Sequence, residues 1–457
     1  MTRQAWQIER ELRDAAVPLD RRVHESNWYT SETAFPTGDG LIDMFWESHV
    51  PGSGAPEIPY LEMAQAAYTK GLDTLGVVPK IEAGIELRKQ GKVDELRALT
   101  AEILHDIYHA KPDPNHPFHK YEHPDVWEDV KRAMGRVQEE PISFDRSNLG
   151  DRIYQSWLGQ LAGGSFGTCI EGYTGEQIRK VYGEIRSYIT APETTNDDVV
   201  YELVLLDVFE RMGRGITSRE LALEWVKQIP FGWSAEWEAI NNLNQGILPP
   251  ESGSFHNPYS NWIGAQMRGM VCGMLAPGWP MEAARLAHLD GVISHENNGV
   301  YGEMYAAVLT ALAFVRDEPR AILREAAEYI PEKSLYADVV RDCLETCATH
   351  TEPAKAWKIL EKHYEQYNWI DAHPNIAAVI FSLWYGQTDM TECFALLARA
   401  GLDVDCNAGL VGSVLGAIHP VPGEWANPLG DLLETYLKGK ERLSIRDLAA
   451  KTARLAL

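Results

Sequence analysis

Two carboxylate-rich runs stand far apart in the chain, each immediately before an apolar stretch of helical character. Thr194-Thr195-Asn196-Asp197-Asp198 precedes VVYELVLLDVF, and Gly401-Leu402-Asp403-Val404-Asp405-Cys406-Asn407-Ala408 precedes GLVGSVLGAI. One Asp at the start of a helix is explained as a cap, because free N–H groups and the positive end of the helix dipole face it. Two adjacent carboxylates accompanied by Asn and Thr exceed what a cap needs. In an extended approach, Asp403 and Asp405 are two residues apart and direct both side chains to one side. Carboxylates and neutral oxygens are the hard donors that magnesium or calcium prefers, so the two runs together read as a magnesium cup rather than a zinc site.

Two further segments carry polar chemistry. Gly163-Gly164-Ser165-Phe166-Gly167-Thr168-Cys169-Ile170-Glu171-Gly172 combines glycines that allow close backbone approach with a single carboxylate, Glu171. It lacks the GxGxxG spacing of a nucleotide fingerprint and follows a helical pattern, not a strand. The turn around His295, Asn297, Asn298 and Tyr301 gathers imidazole, amides and a phenol between two helices, a composition that suits a pocket wall. His105 and His109 have HDxxH rather than HExxH spacing, and their cluster with His116, His119 and His123 reads as helix-surface and turn packing. Trp233 and Trp237, in FGWSAEWEAINNLNQG, are core aromatics or a surface on which a base could stack.

The elements that must hold these groups are helices. From about residue 150 onward one helical pattern follows another, strand-like alternation is scarce, and no repeat of fixed period is visible. Many apolar faces carry Ala and Gly, as in GLVGSVLGA, which lets helix axes approach closely and favours a compact all-α globule. The first 145 residues differ in texture. Short helical candidates there lead into the Pro- and His-rich KPDPNHPFHKYEHPDVWEDV and then a linker, QEEPISFDRSN. We read residues 1–145 as a helical N-terminal extension or lid and 146–457 as the catalytic unit. Trp28, Tyr29, Trp46 and Tyr60 are candidates to roof its cleft.

Bulk properties exclude some functions. The 457 residues supply 42 Lys and Arg against 66 Asp and Glu, a formal charge of -24 that repels nucleic acids and anionic membranes. No apolar run approaches a membrane span and the N-terminus has no signal-peptide pattern, so the expectation is a cytoplasmic protein. Six cysteines form no CxxC pair, and Cys343 and Cys347 read as buried thiols. A homo-oligomer is compatible with the many helical faces.

The order LAGGSFGTCIEG, NDDVVYEL, ISHENNGVYG and GLDVDCNAGLVGSVLGA resembles the ADP-ribosylglycohydrolase family over residues 150 to 420. The resemblance implies an all-helical fold with one or two Mg2+ ions that bind ribose hydroxyls and assist hydrolysis at the anomeric carbon. It implies that Asp197, Asp198, Asp403 and Asp405 are metal ligands, that Glu171 approaches the centre and that His295 lies near the substrate; we take Glu171, Asp198 and Asp403 as the catalytic candidates and Asn297, Asn298 and Tyr301, from the same polar turn as His295, as substrate-binding candidates. Three departures stand out. Gly163-Gly164-Ser165 replaces Gly-Asp-Ala, so Gly164 lacks an acid; Asn196-Asp197-Asp198-Val199 replaces Thr-Asp-Asp-Thr; and Cys406 stands where the family has Thr. Asn196 still offers a carbonyl oxygen, whereas Cys406 is a soft ligand for magnesium. The implied activity is magnesium-dependent cleavage of an N-glycosidic bond to ribose in a small nucleoside-like or ADP-ribosyl metabolite. Removal of ADP-ribose from a modified protein and noncatalytic binding of ribose or a nucleotide are the competing readings.

Overall fold

The structure, a computed structural model, describes residues 3–27, 39–135 and 137–456. Helices make up nearly all of its regular secondary structure. Among the described residues the only sheets are three antiparallel pairs of two-residue strands. The all-α expectation therefore holds, including extra helices before residue 145.

The arrangement is organised by two antiparallel helices, Leu149–Gly167 and Val404–Ile418. Gly159, Gly163 and Gly167 recur at four-residue spacing and so share one helix face. A Cβ added at Gly159 would overlap the carbonyl oxygen of Gly412, one at Gly163 that of Ala408, and one at Gly167 the backbone of Asp405. On the partner helix, a Cβ at Gly416 would overlap the carbonyl of Gln155. The two backbones thus touch along a seam without side chains between them, and the buried Ser156 and Ser413 hydroxyls meet across it at 2.8 Å.

This seam sets the end of the first helix against the start of the second. The loop that follows Gly167 must then pass beside the loop that precedes Val404. A short pair, Tyr173–Thr174 with Gly401–Leu402, locks the two together, and the Gly172 N–H donates to the Leu402 carbonyl at 2.9 Å. Glu171 and Asp403 become neighbours for this reason. The carboxylate run at 194–198 is placed by the helix Asp198–Met212, whose apolar residues are buried on nearly every side, as is typical of an internal helix.

The N-terminal residues build an apolar cluster of their own from Ile8, Trp46, Leu61, Ile81, Leu96 and Ile103, which also takes in Ala235, Tyr259 and Trp262. Val50, Ala55, Phe118, Val130 and Met134 join the main core instead. Trp46 and Tyr60 are buried in the smaller cluster, with the Trp46 ring N–H donating to Thr100 at 2.8 Å. Trp28 and Tyr29 lie outside the described residues.

Candidate functional site

Glu171, Asp197, Asp403, Asp405 and Cys406 line one cleft of about 1150 Å³. Each arrives by the route just described: Glu171 from the loop after the glycine-faced helix, Asp197 from the residue before the buried helix, and the last three from the start of Val404–Ile418. Asp198 sits behind this rim, 3.4 Å from the Cys406 sulfur, and with Asn196 and Gly164 lines a small separate cavity. Asp197, the more exposed of the adjacent pair, is the one that reaches the cleft.

Asp403 does cap its helix, but with one oxygen only: Oδ1 accepts from the Cys406 N–H at 3.2 Å. Its own N–H donates to Asn375 Oδ1 at 3.1 Å, and the same oxygen accepts from Asn407 Nδ2 at 2.7 Å. The residue before it, Leu402, has φ +70°, an uncommon conformation for a branched side chain and one retained only where the surroundings enforce it. Asp405 Oδ1 and Asn196 Oδ1 are buried with no hydrogen-bond partner in the protein. Such oxygens are costly unless something else is bound to them.

Electrostatics point the same way. Burial, followed by the charge of Asp405, holds the Glu171, Asp198 and Asp403 carboxyls well above the ordinary range and pushes Asp197 up to about 7. Among the described residues no Lys or Arg forms an ion pair with any of these carboxylates. Like charges gathered out of water repel one another, and a divalent cation would remove the conflict. Asp403, Asp405 and Cys406 each offer a ligand atom within 4.8 Å of the others and could hold a metal ion. Burial keeps the Cys406 thiol well above its usual range, so it remains a neutral S–H that donates to Asp198. The donors suited to a cation here are thus oxygens, which fits a hard ion such as magnesium.

His295, Asn297, Asn298 and Tyr301 are not among the residues that line the cleft. All four are buried at the start of the helix Asn297–Ala313 and bonded to protein. The Asn298 side chain accepts from the Tyr336 N–H at 3.0 Å, and the Tyr301 hydroxyl donates to the Pro124 carbonyl at 2.6 Å. His295 Nδ1 lies 2.8 Å from Ser294 Oγ and 3.9 Å from Glu236 Oε1, and burial holds its ring well below the usual histidine range, hence neutral. It touches the cleft through Glu236, which does line it. The histidines of the N-terminal cluster have backbone partners as well: His119 approaches the Gly71 carbonyl at 3.0 Å and His123 that of Phe118 at 3.2 Å.

Several cleft residues were not singled out by sequence. Glu57 and Glu62 come from the N-terminal region and Glu236 from the helix Ser234–Asn244. Glu62 accepts from Arg13 at 3.1 Å, and Arg13 also donates to the Gly172 carbonyl at 2.5 Å, which ties the first helix to the Glu171 loop. Trp233 and Trp237 line the cleft together with Phe45, Phe231, Tyr259, Trp262 and Trp369. The signal that could have flagged Glu62 is a carboxylate inside an otherwise apolar helix face, YLEMAQAAY.

Comparison with known proteins gives three findings. A family model described as ADP-ribosylglycohydrolase matches residues 145–456. An uncharacterized protein of Archaeoglobus fulgidus is 25% identical over 301 residues, covering 60% of this chain and 90% of its own length. A solved structure of an ADP-ribosylglycohydrolase-related protein complex shares 18% identity at a TM-score of 0.47, covering 68% of this chain and 99% of that one.

Proposed function

The chain belongs to the ADP-ribosylglycohydrolase family, and on that premise we propose that it is a magnesium-dependent hydrolase that cleaves the N-glycosidic bond to ribose in a small nucleoside-like or ADP-ribosyl metabolite. Family membership supports a glycohydrolase-type activity on ribosyl groups. The observation that carries the finer reading is the convergence of four carboxylates, Glu171, Asp197, Asp403 and Asp405, without a basic partner, at the floor of an aromatic-lined cleft, with Asp198 directly behind them.

Asp197, Asp198, Asp403 and Asp405 are our ligand set, with Asn196 contributing its unpartnered carbonyl and Cys406 acting through its hydrogen bond to Asp198. When bound, magnesium would supply positive charge at the floor and a hold on ribose hydroxyls. The chain's own groups do the rest. In hydrolysis the C1′–N bond breaks, the leaving nitrogen keeps the electron pair and gains a proton, and a water oxygen bonds to C1′. Asp403 stabilises the positive charge that develops at C1′ and Asp198 orients the cluster. Glu171, whose proton is retained by burial and by Asp405, exchanges it with the water or the leaving base. In this reading residues 1–145 act as an extension that roofs the 146–457 unit. Pro51, Glu57 and Glu62 stand on the cleft wall from that side, which favours a small metabolite over a protein-linked ADP-ribose. His295 supports the substrate wall from behind, beside Glu236, whereas Asn297, Asn298 and Tyr301 hold the turn around it through Asp125, Tyr336 and the Pro124 carbonyl.

The test is release of free ribose or ADP-ribose from a panel of N-ribosides and ADP-ribosylated peptides, with magnesium and with a chelator. Turnover that requires magnesium and falls at least about a hundredfold in Asp403→Asn supports the hydrolase. Tight binding of a riboside without turnover supports a noncatalytic relative instead.

A further inference from the structure

The cleft walls above the carboxylate floor carry their own charge pattern. Glu57 and Glu62 stand on the N-terminal side and Glu236 on the other, and among the described residues no Lys, Arg or His lines the cleft. The two buried arginines nearest these walls are already outnumbered. Arg13 pairs with Glu9 and Glu62 and also acts on Glu57; Arg268 pairs with Glu236 and Asp290 and is further surrounded by Glu303. Each arginine therefore leaves an excess of carboxylate on its wall. Burial, countered in part by the arginines, pushes Glu57 and Glu236 up to about 7 and Glu62 up to about 8, the response of carboxylates withdrawn from water.

Between these walls lie Phe45, Trp233, Trp237, Tyr259, Trp262 and Trp369. The ring N–H groups of Trp262 and Trp369 are buried without a hydrogen-bond partner in the protein. Aromatic faces attract cations through their quadrupole, and flat heteroaromatic rings stack on them. A phosphate or diphosphate seated on the walls would face carboxylates whose arginines, Arg13 and Arg268, are buried behind the lining and already shared with Glu9 and Asp290. Magnesium at the floor could reverse that field only locally.

We propose that the substrate is a phosphate-free N-riboside whose leaving base is a cationic heteroaromatic ring, held between the tryptophans and the Glu57, Glu62 and Glu236 carboxylates. This rests on the hydrolase reading for the bond that is broken, but the charge preference is a property of the walls and is measurable without turnover. A positively charged base is also the better leaving group: when C1′–N cleaves, the ring nitrogen takes the bonding pair and becomes neutral without needing a proton, while water adds to C1′ and releases its proton to a floor carboxylate.

Calorimetric titration of the full-length, magnesium-loaded protein separates the possibilities, using ligands without a labile bond. The probes are the carbocyclic riboside of the 3-carboxamide pyridinium, the same carbocycle bearing an uncharged 3-carboxamide phenyl ring, and the 5′-phosphate of the former. The cation is expected to bind about tenfold more tightly than its neutral isostere, the scale of a desolvated cation–aromatic contact, and the 5′-phosphate more weakly than its parent. Glu57→Gln should narrow the cation-to-neutral ratio to about a third of its original value. Equal affinity for the two isosteres, tighter binding of the phosphate, or no binding of any probe overturns the proposal. Turnover assays on the hydrolysable pyridinium and uncharged N-ribosides run alongside. Cation preference without turnover retains the charge selectivity and removes the hydrolase, whereas turnover that favours ADP-ribosyl substrates retains the hydrolase and removes the selectivity.

Discussion

Cys406 illustrates how one atom sets the donor character of a candidate metal site. Its sulfur lies among Asp198, Asp403 and Asp405, yet the thiol stays protonated and serves as a donor to Asp198. A hydroxyl at the same place could donate to Asp198 and also offer a hard oxygen. Cys406→Thr is expected to raise magnesium affinity roughly tenfold, and Cys406→Val, which removes the donor but keeps the shape, to lower it. The rise in melting temperature on titrating magnesium reads both, because a ligand specific to the folded state stabilises it by RT ln(1 + L/Kd), where L is the free ligand concentration. Identical titrations for Thr, Val and the parent would remove Cys406 from the cluster. The aspartates at 197, 198, 403 and 405 were legible in the sequence because adjacent or alternating acids before an apolar helix are more than a cap requires. Glu57 and Glu236 were not, since a solitary Glu in an ordinary polar context has no signature until folding strips its water away. His295, Asn297, Asn298 and Tyr301 show the reverse case: polar density in the sequence marked a dense hydrogen-bonded turn, which the fold uses behind the cleft wall.

At the scale of elements, the site depends on two helices whose backbones touch. Gly159→Ala would put a methyl group into the Gly412 carbonyl, so the helices must separate or shift. A destabilisation of about 3 kcal/mol is expected, at the upper end of overpacking costs, read from denaturant unfolding. Gly150→Ala in the same helix meets nothing within 4 Å and should be neutral or stabilising by roughly 0.5–1 kcal/mol, the ordinary gain from removing a helical glycine. If both substitutions cost the same, the seam is not what the geometry makes it. Gly167→Ala acts on the backbone of Asp405 and should weaken magnesium binding beyond its effect on stability. The small-residue faces were visible in the sequence, and so was the helical class. What periodicity cannot supply is the partner: nothing in LAGGSFG names GLVGSVLGA as the helix it meets, because contact between distant segments depends on the whole set of faces being satisfied at once.

For the whole molecule, the question is how a chain tolerates so many buried carboxylates, and pH supplies the answer in measurable form. Glu57 and Glu236 at about 7 and Glu62 at about 8 stand above the ordinary 4.5, chiefly because of burial, and Asp125 stands at about 6 for the same first reason. Raised carboxyl values mean that the folded state keeps protons that the unfolded chain has already released. The stability linked to them is fully present near and below pH 4.5 and is lost as pH rises through 6 to 8. In chelator, the melting temperature is therefore expected to fall by a few degrees between pH 5 and pH 8, opposite to the acid lability produced by carboxylates that are salt-bridged at the surface. Glu57→Gln should flatten that slope, since an amide has no proton to lose, and should raise the melting temperature at pH 8 more than at pH 5. The N-terminal region makes this a property of the assembled chain, because Arg13 holds Glu62 on its own wall and also donates to the Gly172 carbonyl beside Glu171, which ties that wall to the floor of the cleft. A melting temperature that climbs from pH 5 to pH 8 in the absence of metal would mean that these carboxyls are ionised with adequate partners in the folded state, and that the walls of the cleft carry no excess of negative charge to favour a cation.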